Sequence, residues 1–206
     1  MKPNQPLLVV FCGPNGAGKS TLRRITLADT DIPFVNADDI AAREFGDQAA
    51  ARAYEAAEIA ESIRAGLFRT GRSFSFETVL SDPRGEKVRF LVEASAAGYF
   101  VVFHFVGLDS PDRSRIRVIQ RVQDGGHDVP DEKLAARYPR VMENLRRLLD
   151  VPDELVIYDN SSSAEPYRVI ARLSRGVLLE IAAAIPEWTW FLDLSTRITG
   201  QTFIRP

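Results

Sequence analysis

The chain has 206 residues, 45 % of them apolar and 26 % charged, with 26 Lys and Arg set against 28 Asp and Glu. That length suits one or two domains with a sizeable core, and the composition is that of an ordinary globular chain rather than a disordered one. A net charge of −2 argues against a protein that coats nucleic acid or an anionic membrane, because no surplus of cations drives counterion release.

Residues 7–12, Leu-Leu-Val-Val-Phe-Cys, form a continuous apolar run that predicts a strand buried on both faces. A helix is expected from Lys19, with Leu22, Ile25 and Leu27 as its apolar face. Pro33-Phe34-Val35 reads as a short strand, followed by a helix capped near Asn36 or Asp38. Residues 48–68 predict a long amphipathic helix with Tyr54, Ile59, Ile63 and Leu67 on its apolar side. Residues 73–77 alternate as a strand, residues 83–97 read as a helix closed by Gly98, and residues 99–106 form the strongest strand signal. Helices over 111–123 and 131–149 flank Gly125-Gly126-His127, and residues 155–158 read as another strand. Alternation of this kind implies an α/β fold with three layers, a mainly parallel sheet between helices. Beyond residue 160 a hairpin is expected around Ser174-Arg175-Gly176. The chain therefore divides into a core over residues 1–162 and a hairpin and tail over 163–206, with Trp188 and Trp190 packing on the core.

The single cysteine, Cys12, allows no internal disulfide and no cysteine metal cluster, and reads as a small buried side chain. The longest uncharged stretch, residues 94–108, is too short to span a bilayer. The apolar run at residues 7–11 leads into a glycine loop rather than a cleavage site. These features predict a cytoplasmic protein with neither membrane nor nucleic acid as a partner.

Gly13-Pro14-Asn15-Gly16-Ala17-Gly18-Lys19-Ser20 satisfies the phosphate-loop pattern in full, between an apolar strand and an amphipathic helix. Its glycines let backbone N–H groups turn toward phosphate oxygens, Lys19 reaches the β- and γ-phosphates, and Ser20 offers a hydroxyl to Mg²⁺. Residues 13–21, Thr21 included, are thus expected to bind ATP or GTP. The loop resembles that of ATP-binding-cassette subunits, yet no L-S-G-G-Q-like signature accompanies it, which points instead to a small-molecule kinase.

Phosphorylating a hydroxyl requires a carboxylate to orient it and accept its proton. Asp38, with Asp39 beside it as the alternative, follows the second strand, where ligands of open α/β sheets sit. Glu77 and Thr78 close the third strand at the same edge and could contact substrate. Positive charge over the moving phosphate is expected from Arg121, Arg137 and Arg140, which flank the glycine-rich segment containing His127. His104, inside a strand, reads as packed. Two other classes share the phosphate loop: a nucleotide-dependent switch or ATPase working through a protein partner, and a polynucleotide kinase, which the charge balance disfavours.

Taken together, G-P-N-G-A-G-K-S-T-L at 13–22, F-V-N-A-D-D-I-A at 34–41, F-S-F-E-T-V-L-S at 74–81, F-V-G-L-D-S-P at 105–111, R-V-Q-D-G-G-H-D-V-P at 121–130, R-Y-P-R at 137–140 and Y-D-N-S at 158–161 resemble the zeta toxin family of P-loop kinases. The resemblance covers residues 7 to about 162. It implies a P-loop kinase using ATP or GTP with Mg²⁺, a nucleotide sugar (UDP-N-acetylglucosamine) as the small-molecule acceptor, and an antitoxin protein as a partner to consider. By the same likeness Lys19 holds the triphosphate, Asp38 is the base, Glu77 and Thr78 contact substrate, and arginines of the lid stabilise the transferred phosphate.

Overall fold

The computed structural model describes residues 2–123, 131–184 and 186. Gly125-Gly126-His127 and the Trp188–Trp190 tail lie outside the described residues. Alternate residues of Leu7–Cys12 (β1) enter opposite cores, which is why the run is apolar without a break. Leu8, Val10 and Cys12 join a large cluster on one face of the sheet. Val9 and Phe11 join a smaller one on the other face.

Lys19–Thr26 (α1) brings Leu22 to the smaller cluster. Phe34–Val35 (β2), Ala37–Phe45 (α2), Ala53–Arg69 (α3), Phe74–Thr78 (β3) and Glu86–Ala96 (α4) follow. Then come Phe100–Gly107 (β4), Pro111–Gln123 (α5), Asp131–Arg146 (α6), Glu154–Asp159 (β5), Arg168–Ser174 (β6) and Val177–Ile181 (β7). The large cluster takes Ile40 from α2, Ala56 and Ala60 from α3, Leu91 from α4, and Val141 and Leu145 from α6. Helices thus cover both faces of a seven-stranded sheet of order β2-β3-β1-β4-β5-β6-β7.

The first five strands of that order are parallel, as the alternation of elements predicts, and β6 and β7 extend the sheet in antiparallel fashion. Because the chain runs from β1 to β2 and β3 on one side and then returns to β4 on the other, the order switches at β1. Crevices at the carboxyl ends of strands form at such a switch. Among the described residues no helix is long and apolar enough to cross a membrane.

Two helix faces differ from expectation. On α3 the buried residues are Ala56 and Ala60, while Tyr54, Ile59 and Ile63 are exposed. The alanines let the helix lie close to the core, and the Arg64 guanidinium sits over the Phe76 ring at 5.4 Å, covering apolar surface in place of a larger aliphatic residue. On α1, Leu22 is buried but Ile25 is exposed. His104 is packed, as expected: it stacks on Phe11 with ring centroids 5.0 Å apart, and its Nδ1 lies 3.1 Å from Tyr158 Oη. Burial, with Arg172 adding to it, lowers its pKa to about 4.

Candidate active site

Between β1 and α1 the chain turns through Gly13–Gly18 in a path that leaves no room for a side chain at its three glycines. At Gly18, φ is +94°, and a Cβ would lie 2.6 Å from Tyr167 Oη and 2.7 Å from Asn160 Nδ2. Gly18 is the N-cap of α1, and no side chain caps that helix. The N–H groups of its first turn, with the positive end of the helix dipole, are therefore directed at whatever anion enters the loop.

The loop is held from outside by three side chains that its own glycine-lysine pattern does not point to. Buried Asn160, just past β5, donates from Nδ2 to Ala17 O at 2.8 Å and accepts the Tyr167 N–H on Oδ1 at 3.2 Å. Tyr167 Oη donates to Gly18 O at 2.9 Å, and Ser114 Oγ of α5 donates to Asn15 O at 2.6 Å. The signal for them is weak in sequence, since Asn160 and Tyr167 lie more than a hundred residues from the loop they brace.

Lys19 is only 6 % exposed. Its Nζ donates to Pro14 O at 2.9 Å and stands 3.8 Å from Glu77 Oε1. Burial holds the ammonium below its ordinary pKa, the Glu77 charge opposes that, and the charges of Arg121 and Asp38 also reach it. Ser20 Oγ donates to Glu77 Oε2 at 2.7 Å, so a single carboxylate at the end of β3 engages both polar residues that open α1. Cys12, directly before the loop, is buried and its thiol is pushed well above its ordinary range, which leaves it unreactive.

Of the two carboxylates after β2, neither is needed as the helix cap. Asn36 caps α2 by accepting the Asp38 N–H on Oδ1 at 2.9 Å. Asp38 and Asp39 are both exposed in the first turn, and it is the Asp38 charge that reaches Lys19. Thr78 turns the chain beyond β3, its Oγ1 accepting the Leu80 N–H at 3.1 Å. Thr21 is exposed on α1, and Arg24 Nη2 donates to its Oγ1 at 3.5 Å.

The arginines fall into different places. Arg137 of α6 extends to the phosphate loop, its Nη1 lying 3.5 Å from Asn15 Oδ1. Arg140 donates from Nε to Ala136 O at 2.9 Å, one turn back on its own helix. Arg121, near the end of α5, contributes its charge at Lys19. Arg137 and Arg140 of α6, together with Lys133, meet Thr78, Ser81 and Asp82 in a cleft of about 580 Å³, at whose edge Tyr54 is 83 % exposed. A second, more polar cavity of about 610 Å³ lies past the ends of β4 and β5, lined by Asp109, Arg113, Asp159 and Ser161 among others.

The residues fit a nucleoside triphosphate, because a glycine-rich cradle, an uncapped helix N-terminus and a buried lysine converge on one point. They also fit Mg²⁺, which prefers hard oxygen ligands and takes one or two from protein while phosphates and water supply the rest. The Ser20 hydroxyl and the Glu77 carboxylate are such ligands.

Comparison with known proteins finds the same fold in other chains. A chain of the AvrRxo1-ORF1:AvrRxo1-ORF2 complex, solved with sulphate ions, superposes with a TM-score of 0.67 at 15 % identity over 98 % of this chain and 66 % of that one. The present chain therefore spans just under two thirds of that protein, which has also been solved with ATP. The PezAT chromosomal toxin–antitoxin system of Streptococcus pneumoniae gives a TM-score of 0.62 at 18 % identity, covering 96 % of this chain and 87 % of that one. At these identities the likeness is one of fold. A protein of Haemophilus influenzae, described only as uncharacterized, is 25 % identical over 130 residues, 63 % of this chain and 91 % of that protein. The family model for zeta toxin matches residues 1–169, a span that holds the phosphate loop, both candidate carboxylates and all three candidate arginines. With that match over most of its length, and with a phosphate loop set in a three-layer P-loop kinase fold, the chain belongs to the zeta toxin family.

Proposed function

We propose that this chain is a kinase that transfers the γ-phosphoryl group of ATP or GTP to a hydroxyl of a small metabolite, with UDP-N-acetylglucosamine as the first acceptor to test. The observation that carries the reading is the convergence on Glu77. Lys19 and Ser20 both engage it at the mouth of an uncapped helix, beside the charge of Asp38 and next to a cleft lined by cations.

In this reading the loop from Gly13 to Thr21 and the first turn of α1 bind the triphosphate, and the polar cavity past β4 and β5 receives the nucleoside. Lys19 neutralises the β- and γ-phosphates. Mg²⁺, when bound through Ser20 with Glu77 beside it, supplies charge neutralisation on the phosphates. Asp38 orients the acceptor hydroxyl and takes its proton as the oxygen–phosphorus bond forms. The bond from the γ-phosphorus to the bridging oxygen breaks, and the nucleoside diphosphate leaves with the electron pair. Glu77, Thr78 and Asp39 contact the acceptor. Arg137, Arg140 and Arg121 balance the charge on the moving phosphoryl group.

An antitoxin protein is the macromolecular partner this reading expects. PezAT, which shares the fold, is a toxin–antitoxin system.

The test is a screen of bacterial metabolite pools with ATP, read by mass for a phosphorylated product, with UDP-N-acetylglucosamine run separately. Formation of ADP that depends on an added acceptor supports the kinase. Hydrolysis that needs no acceptor and is stimulated by a protein would instead mark a nucleotide-dependent switch.

A further inference from the structure

The polar cavity past β4 and β5 is tied to the phosphate loop from two sides. Ser114, next to Arg113 at the start of α5, donates to Asn15 O. Asn160, between Asp159 and Ser161, donates to Ala17 O. The cavity's volume of about 610 Å³ is in the usual range of small-molecule sites, so the group that continues from a phosphate chain in the loop has room there.

The charges lining this cavity are matched to one another. Arg113 donates from Nε to Asp109 Oδ1 at 2.5 Å and from Nη2 to Asp109 Oδ2 at 2.6 Å. Arg168 Nη2 stands 3.5 Å from Asp159 Oδ2. Ser161 joins the two pairs, its Oγ accepting the Asp109 N–H at 2.8 Å and its own N–H donating to Asp159 Oδ1 at 2.7 Å. The hydrogen bond from Arg113 holds the Asp109 carboxyl below its ordinary range, so the pair stays ionised together. With each guanidinium matched to a carboxylate, these two pairs offer a phosphate no surplus cation. An uncharged part of the nucleotide fits between them.

The two bonds to Asp109 also fix the plane of the Arg113 guanidinium, because a fork-on-fork contact sets its orientation. Asp109 takes the edge of that plane. The Arg113 side chain is still 42 % exposed and lines the cavity, which leaves a flat face open. Guanidinium planes stack on nucleobases.

We propose that Arg113 is a nucleotide-binding residue that stacks on the nucleobase, and that Asp109 is the positioning residue that holds its plane. The inference rests on the nucleotide-dependent kinase reading above and deepens it by naming how the base is held. Stacking uses the π-face that every base has and reads no hydrogen-bonding edge. The site therefore takes a nucleoside triphosphate by its phosphates and by the flatness of its base, and ATP and GTP bind with similar affinity.

The test is titration calorimetry on the full chain with Mg²⁺ and three probes: ATP, GTP and inorganic tripolyphosphate, which has the phosphates without a base. Arg113→Lys keeps the charge and loses the plane. It is expected to weaken ATP and GTP alike by about ten-fold, the scale of one base stacked on a side chain, and to leave tripolyphosphate binding unchanged. Asp109→Asn is expected to weaken both nucleotides in the native background and to add nothing further in the Arg113→Lys background, because it acts through Arg113. A merely structural Asp109 would weaken all three probes in both backgrounds. Unchanged binding of ATP and GTP by Arg113→Lys overturns the proposal. So does an equal loss for tripolyphosphate, which marks a phosphate contact, and so does a loss confined to one base, which marks reading of an edge. Each of these leaves the kinase reading standing. A native chain that binds neither nucleotide overturns the kinase reading, and this proposal with it.

Discussion

Ser20 Oγ donates to Glu77 Oε2 at 2.7 Å, which ties the first turn of the helix behind the phosphate loop to the end of the neighbouring strand. The other oxygen of the same carboxylate faces Lys19 at 3.8 Å. Glu77 is thus placed to set the charge at the phosphates rather than merely to mark a strand end. Replacing it by Gln removes negative charge next to a triphosphate site, so nucleotide affinity should hold or tighten. Transfer should slow by about ten-fold or more as the polar groups opening α1 lose their shared anion. Nucleotide titration and single-turnover transfer, measured on the same Glu77→Gln protein, check the split. Loss of nucleotide binding together with transfer would contradict it.

Gly18→Ala is expected to fail in two ways. The new methyl group would meet Tyr167 Oη at 2.6 Å and Asn160 Nδ2 at 2.7 Å, at a φ of +94° that L side chains avoid. The strain costs about 1–3 kcal/mol, and displacing Asn160 loosens the carbonyl of Ala17 that it holds. Denaturant unfolding should report the first effect and a weakened nucleotide affinity the second. Asn160→Ala should reproduce the weakened affinity without the backbone strain.

The arginines of α6 should not be equivalent. Arg137 reaches Asn15 of the loop, whereas Arg140 is bonded to its own helix. Arg137→Ala is therefore expected to lower kcat by about 10²-fold, the scale seen when one charge-stabilising donor is removed. Arg140→Ala should act mainly on the acceptor KM. Steady-state kinetics in which Arg140→Ala carries the larger kcat defect would reverse the assignment.

His104 should make the fold sensitive to acid. Its pKa is lowered from 6.5 to about 4 by burial. Below pH 6.5 the unfolded chain takes up a proton that the folded side chain refuses until about pH 4. The unfolded state therefore binds more protons across that window, and stability rises with pH. The contribution is fully present above pH 6.5 and falls by up to about 3 kcal/mol as pH drops to about 4. His104→Asn can keep the bond to Tyr158 Oη without titrating. Its urea midpoint should change less between pH 7 and pH 4.5 than that of the native chain.

The layers of the fold and the loop that binds phosphate were readable because each rests on local rules. The unbroken apolar run at residues 7–12 requires burial on both faces, and the glycine spacing at residues 13–18 requires a tight turn with no side chain at Gly13, Gly16 and Gly18. Residues whose role depends on distant packing were not readable. Tyr54, Ile59 and Ile63 have the spacing of a buried stripe, yet α3 packs through Ala56 and Ala60, since close approach favours small residues and periodicity alone does not reveal that choice. Tyr167 carries no motif and Asn160 stands in Y-D-N-S only as part of a resemblance, and each acts on a backbone carbonyl more than a hundred positions away. Within α2 the pair Asp38-Asp39 was found by its place after β2, but only the geometry shows that Asn36 does the capping.

Asp38→Ala separates nucleotide binding from the transfer of a phosphoryl group to a hydroxyl, the step for which Asp38 is proposed as the base. The measurement pairs nucleotide binding with acceptor-dependent formation of ADP and phosphorylated product by the same protein. Binding is expected to persist while transfer falls by at least about 10²-fold, the lower scale for general acid–base catalysis. Transfer at the native rate, to UDP-N-acetylglucosamine or to any acceptor the native chain phosphorylates, would contradict it.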